Sequence, residues 1–270
     1  MTGVFLTERE GVATITLPDP HARGLTAAQL EGLAAIIEGL QTSERCGAIL
    51  LRGAPGAFCE GVELAEFTAT GEHDTLQAAL GRCFRALVAN PLPIVAAIEG
   101  RAFGLGLSIL CHVDAAIAAP TSEFGAPFVA LGLVPEAAST LILRERLGYM
   151  QAMRLLCLGE TLAAGEALRL GLVSEIVPGN AVQARAAELA SLFSRRRSEA
   201  LILTRRLLRY EADDLIDRID AELAASRRQL DKPATVKRLA RIAAMTRRTS
   251  GSGRRGDDHA DWPQANMLAS

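Results

Sequence analysis

The chain has 270 residues, 49% of them hydrophobic and 22% charged, enough to bury the core of one large domain or two small ones. Its 29 basic and 31 acidic side chains give a formal charge of -2, which excludes a globally basic surface for nucleic acid or an anionic membrane, so any anion site must be local. Cys46, Cys59, Cys83, Cys111 and Cys157 are odd in number and form no C-x-x-C pair, which argues against a disulfide framework or zinc knuckle and for a reducing cytoplasm.

In chain order, Met1 to Glu8 has no basic stretch leading into an apolar core, and no uncharged run approaches about 18 residues; neither export nor membrane insertion is expected. Val4 to Thr7 and Val12 to Leu17 alternate β-branched residues around Glu10-Gly11 and predict a hairpin ended by Pro18 and Pro20. From Thr26, a fitting N-cap, the apolar residues Leu30, Leu33, Ile37 and Leu40 recur at helical spacing. Gly47 to Arg52 reads as a buried strand. A helix near Leu76 to Val88 then leads through Asn90-Pro91-Leu92-Pro93 into a second strand, Ile94 to Ile98, and Val113 to Ala118 is a third. Strands alternating with helices predict an α/β domain whose loops at strand ends carry the chemistry.

Beyond about Ala181 the pattern turns helical, in segments 181 to 194, 198 to 210, 213 to 230 and 233 to 246. The residues after 249 are rich in glycine and charge and too poor in apolar groups to pack alone, which predicts a tail.

Two loops follow predicted strands and open into apparently helical sequence: Arg52 to Leu64, containing Gly53, Gly56 and Gly61, and Glu99 to Ser108, containing Gly100, Gly104 and Gly106. Glycines there let the backbone turn sharply and leave N–H groups free to hold an anion; alternatively, each loop is only a tight turn. A dinucleotide fingerprint on Gly104-x-Gly106 lacks its third glycine, since position 109 is Ile. A P-loop is excluded because no Gly-Lys-Ser/Thr occurs.

Taken together, the loops resemble those of the crotonase, or enoyl-CoA hydratase/isomerase, superfamily. Phe58-Cys59-Glu60-Gly61-Val62-Glu63-Leu64 is similar to the family's first loop, and Ile94 to Gly100 followed by Gly104-Leu105-Gly106 to its second. Phe124-Gly125-Ala126-Pro127, Leu131 to Pro135 and Ala167 to Val173 continue the match in order. The resemblance implies a ββα spiral core with an acyl-CoA site over residues 1–195, a helical trimerisation region over 196–248 and a flexible tail over 249–270. It also implies a homotrimer or dimer of trimers, a coenzyme A thioester as substrate, and no separate cofactor.

By the same resemblance, the thioester oxygen would lie between the backbone N–H groups of Val62 and Leu105. Stabilising that oxygen as it becomes an enolate makes the proton alpha to the thioester removable near neutral pH. Gly61, Leu64 and Gly104 would shape the acyl-CoA site, and the Glu60 carbonyl would meet the adenine. His21-Ala22-Arg23 matches the family's CoA-binding turn, where Arg23 either reaches a phosphate or is solvated. The two glutamates that hydrate an enoyl-CoA in this family are replaced here by Ser108 and Phe128.

Glu136, directly after Pro135, matches the carboxylate of some Δ3,Δ2-enoyl-CoA isomerases. One such group suffices for a 1,3-proton shift. Pro-Glu is also a favoured helix start, so Glu136 reads both as acid/base and as a capping acid. Glu63 reads as a structural helix-start acid. Arg195-Arg196-Arg197 and Arg205-Arg206 either meet CoA phosphates or cover exposed helix faces. His21, His73, His112 and His259 have no metal-ligand spacing, so no metal is expected. An isomerase, a hydratase-like or other crotonase reaction such as thioester hydrolysis or decarboxylation, and a non-catalytic acyl-CoA-binding scaffold all remain open from sequence.

Overall fold

The computed structural model describes residues 3–18, 24–68 and 72–250. It opens with the expected hairpin, β1 (Phe5–Arg9) and β2 (Val12–Thr16), in antiparallel register from Phe5↔Thr16 to Arg9↔Val12. Glu10 and Gly11 have φ of 51° and 77°, the positive values that a two-residue turn of matching twist requires. Thr26 begins α1 (Ala27–Gln41) as a reciprocal cap: its hydroxyl accepts the Gln29 N–H, and the Gln29 side chain accepts the Thr26 N–H.

The strands β3 (Ala48–Arg52), β4 (Ile94–Ile98), β6 (Ala115–Ala118) and β9 (Glu175–Ile176) extend the hairpin into a six-stranded sheet of order β1-β2-β3-β4-β6-β9. Every pairing after the first is parallel. Such a sheet must be covered on both faces, which explains why its central strands are continuous apolar runs. Ile49, Leu51, Ile94, Ala96 and Ile98 face a core shared with α1 and α2 (Glu72–Ala89). Leu50, Val95, Ala97 and Ile117 face Val182, Ala186 and Ala190 of α8 (Val182–Arg195) on the other side.

A second sheet of three short strands, β5 (Arg101–Phe103), β7 (Glu123–Gly125) and β8 (Leu162–Ala163), stands beside the first and was not visible in the sequence pattern. Between these strands lie α3 (Leu105–Leu110), α4 (Phe128–Leu131), α5 (Ser139–Leu147) and α6 (Tyr149–Met153), and α7 (Ala164–Arg169) follows them. The first loop does not open directly into a helix as expected. Leu64–Phe67 is a single 3-10 turn, and α2 begins only at Glu72.

Beyond Ala181 the described chain is helical as expected: α8 is followed by α9 (Glu199–Leu208), α10 (Ala212–Leu230) and α11 (Pro233–Ser250). The last helix runs to Ser250, past the boundary at 248 drawn from composition; the rest of the anticipated tail lies outside the described residues. Arg205 does not cover an exposed face. It is buried, donating from Nε to Asp114 at 2.8 Å and from Nη1 to the Asn90 carbonyl at 2.7 Å, and so pins α9 to the sheet. Among the described residues no helix is long and apolar enough to cross a membrane.

Candidate active site

The two glycine loops lie side by side. The Cys59 N–H donates to the Arg101 carbonyl at 3.1 Å and the Phe103 N–H to the Cys59 carbonyl at 2.9 Å, which laces the first loop along β5. Further on, Leu25 N–H donates to the Gly61 carbonyl at 3.0 Å and Glu63 N–H to the Leu25 carbonyl at 2.9 Å. Val62 sits between those bonds, so its own N–H faces the opposite way, and no described group accepts from it.

In the second loop, Gly104 N–H donates to the Gly125 carbonyl at 2.9 Å, and the Gly104 carbonyl accepts the first bond of α3 from Ser108 N–H. Leu105, as the first residue of that helix, has an N–H without a described acceptor. Each free amide follows a glycine at positive φ, Gly61 at 113° and Gly104 at 52° with ψ of -115°. A methyl group placed on Gly104 would lie 3.7 Å from Gly61 Cα, so the two turns touch.

Glu136 belongs to the segment between α4 and α5 and is buried, 9% exposed, with no described donor to its carboxylate. Burial, with a contribution from the charge of Glu222, raises its pKa to about 8. Burial also pushes the Cys59 and Cys83 thiols up to about 12, and Glu136 adds to both shifts. The carboxylate is thus within electrostatic reach of the first loop.

The residues after it are unusual: Ala137 and Ala138 have φ of 62° and 56°, a left-handed pair built from residues with a Cβ. Outside groups hold them. Burial depresses His112 to about 3, so its imidazole is neutral, and its Nε2–H donates to the Ala137 carbonyl at 2.8 Å. The carboxylate of Glu222, from α10, accepts from Ala138 N–H at 2.7 Å, Thr140 N–H at 3.1 Å and Thr140 Oγ1 at 2.6 Å.

The other residues singled out from sequence divide. Ser108, in α3, is 1% exposed with no described partner for its hydroxyl, and Phe128 opens α4 at 6% exposed. Leu64 is buried, and Glu63 accepts the Ala65 N–H at 3.1 Å, the helix-start role expected of it. Glu60 is half-buried and faces Arg101, 3.5 Å from its Nη1, rather than joining Glu136. Arg195 donates to Ser191 and Arg197 to the Glu44 carbonyl, both at 2.6 Å. His21, Ala22 and Arg23 lie outside the described residues. Among the described residues no group of three or more His, Cys, Asp or Glu could hold a metal ion.

Sequence reasoning missed Glu222, Thr140 and the clamp made by His112. One signal was present. In α10 the buried stripe runs Leu215, Ile219, Glu222, Ser226, Leu230, and a carboxylate on an apolar stripe must be paired or functional.

A spiral of βα units that carries two touching glycine loops on its small second sheet, buttressed by C-terminal helices, is a crotonase-type fold. A solved enoyl-CoA hydratase/isomerase from Pseudoalteromonas atlantica matches it with a TM-score of 0.81 at 27% identity, over 88% of this chain and 95% of that one. An enoyl-CoA hydratase from Bacillus halodurans matches with a TM-score of 0.81 at 25% identity, over 88% and 99%. In sequence, a protein of Rhodobacter capsulatus named "Probable enoyl-CoA hydratase" is 35% identical over 188 residues, 67% of this chain and 72% of that protein. The enoyl-CoA hydratase/isomerase family profile matches residues 7–237. The chain belongs to the enoyl-CoA hydratase/isomerase family and is a crotonase-type acyl-CoA enzyme.

Proposed function

We propose that this enzyme is an enoyl-CoA isomerase in which Glu136 moves one proton across an allylic system. The reading rests on one observation: Glu136 is a buried carboxylate without a described donor whose charge reaches Cys59 of the first loop; by the family resemblance, Ser108 and Phe128 stand where hydratases have glutamates. The N–H groups of Val62 and Leu105 hold the thioester oxygen. Ionised Glu136 takes a proton from C2 of a 3-enoyl thioester, the C–H electron pair moves into the dienolate, and the charge settles on that oxygen. The protonated carboxyl then returns the proton to C4 as the double bond forms between C2 and C3. Each amide contributes on the order of 3 kcal/mol at the transition state. A carboxyl with a pKa of about 8 accepts and returns a proton with little loss near neutral pH. No water is added and no separate cofactor enters; the coenzyme A thioester is the substrate.

Gly61 and Gly104 shape the thioester loops, Leu64 and Phe128 line the acyl path, and the Glu60 carbonyl meets the adenine. The side chain of Glu60 is engaged by Arg101, which makes it a poorer base than Glu136. The enzyme is further proposed to act in the cytoplasm, and as a trimer or dimer of trimers because Leu207 and Leu208 of α9 are each 83% exposed in the single chain.

Purified protein given a 3-enoyl-CoA is expected to form the 2-enoyl-CoA. Glu136→Gln should lower kcat by about 10²- to 10⁴-fold while leaving acyl-CoA affinity nearly unchanged. Release of 3-hydroxyacyl-CoA from a 2-enoyl-CoA would favour hydration, the activity named for the bacterial relatives. Unchanged turnover in Glu136→Gln would remove Glu136 from the chemistry.

A further inference from the structure

The chemistry proposed for Glu136 leaves a second buried carboxylate unexplained. Glu222 comes from α10, 86 positions further along the chain by its numbering, and is 4% exposed. Its two oxygens are divided: Oε2 accepts from Ala138 N–H, and Oε1 accepts from both the N–H and the hydroxyl of Thr140. Ala138 is the N-cap of α5 and supplies no side-chain cap of its own, so Glu222 caps that helix from outside. The same bonds fasten the left-handed pair Ala137-Ala138, against which His112 presses from the other side through the Ala137 carbonyl.

We infer that Glu222 is a positioning residue for Glu136, clasping the turn that aims the acid/base and setting a carboxylate charge within electrostatic reach of it. The inference deepens the isomerase reading and rests on Glu136 being its acid/base.

The donors decide which member of the pair is charged. Three donors spread over both oxygens match an ionised carboxylate, whereas a protonated Glu222 would set its own O–H against one of them. Burial raises Glu222 to about 7 against the pull of those donors, and Glu136, with no described donor, is raised further, to about 8, so Glu136 keeps its proton to the higher pH. Among the groups packed around the turn, Arg218 on α10 is the cation whose field reaches Glu222, and the Cys59, Cys83, Cys111 and His112 side chains are held neutral. The effect on catalysis follows: while Glu222 is ionised, Glu136 is a stronger base for the C2 proton, though a smaller share of it is ionised at a given pH.

The test reads the coupling without substrate. In protein labelled with ¹³C at glutamate Cδ, Glu136→Gln identifies the Glu136 signal, and the titration is repeated in Glu222→Gln. The Glu136 midpoint is expected to fall by about one pH unit or more once the neighbouring charge is gone. The acid limb of kcat/KM should move with it, and kcat should fall about tenfold with KM little changed.

Where Glu222→Gln does not fold, the Glu222 signal serves: it should titrate below that of Glu136 and keep its midpoint in Glu136→Gln, because Glu136 is uncharged while Glu222 ionises. A Glu136 titration unmoved in Glu222→Gln, or a Glu222 midpoint above that of Glu136, overturns the inference, as does a loss of melting temperature in Glu222→Gln with an unchanged pH profile. The two readings fail separately: a shifted titration in a protein that does not isomerise 3-enoyl-CoA overturns the reaction alone, and an unmoved titration in an active isomerase overturns the clasp alone.

Discussion

Glu136 and His112 meet at one turn and titrate in opposite senses. Glu136 has a folded pKa of about 8 against an ordinary 4.5, so the folded chain keeps a proton that the unfolded chain releases. That contribution to stability is complete below 4.5 and is lost as pH rises through about 8. His112 has a folded pKa of about 3 against 6.5, so its contribution is complete above 6.5 and is lost as pH falls toward 3. The melting temperature of the wild type is therefore expected to decline between about pH 6.5 and pH 8, and Glu136→Gln should remove much of that decline. Thermal melts of both proteins across this range check it; parallel curves would show that Glu136 is ionised in the folded state at neutral pH.

At the scale of elements, legibility followed length and caps. α1 and the four helices from α8 to α11 fall close to where periodicity placed them, because ten or more residues carry enough apolar repeats to fix a period and Thr26 marks a start. The strands β5, β7, β8 and β9 have two or three residues each, too few for any period, and exist only through pairing with distant segments. The loops were legible by their glycines, but their contact required β5, which brings Arg101 to Cys59. Glu222 was legible only as a carboxylate on an apolar stripe; the turn it holds was not, because its partners lie more than 80 positions away.

The glycine before Leu105 illustrates what the loop geometry demands. With φ of 52° and ψ of -115°, Gly104 occupies backbone space that a Cβ makes costly. Gly104→Ala is expected to lose about 1–3 kcal/mol in denaturant melts and to depress kcat by displacing the Leu105 amide. Full activity in that variant would mean that this amide is not part of the chemistry.

For the whole molecule, two of the ties between the helical region and the rest of the chain bear on the site. Arg205 fixes α9 to the start of β6 through Asp114, and α10 reaches the turn after Glu136. Leu207 and Leu208, on the helix that Arg205 anchors, leave an apolar surface that a neighbouring copy would cover. Sedimentation of the wild type should give a species three or six times the 28.6 kDa chain. Leu207→Asp combined with Leu208→Asp should give a single chain, whereas a monomeric wild type would end the trimer proposal.

One polar knot near the beginning of the chain bears on how the protein is made. The Gly11 carbonyl accepts from Gly47 N–H at 2.8 Å and from the Ser194 hydroxyl at 2.9 Å, the second partner lying 183 residues downstream. Through this contact α8 is moored across the large sheet, covering Leu50, Val95, Ala97 and Ile117. During synthesis those side chains have no lid until the ribosome has passed Arg195, the end of α8. A nascent chain halted before α8 carries a naked greasy sheet, and it is at this stage that chaperones have most to shield.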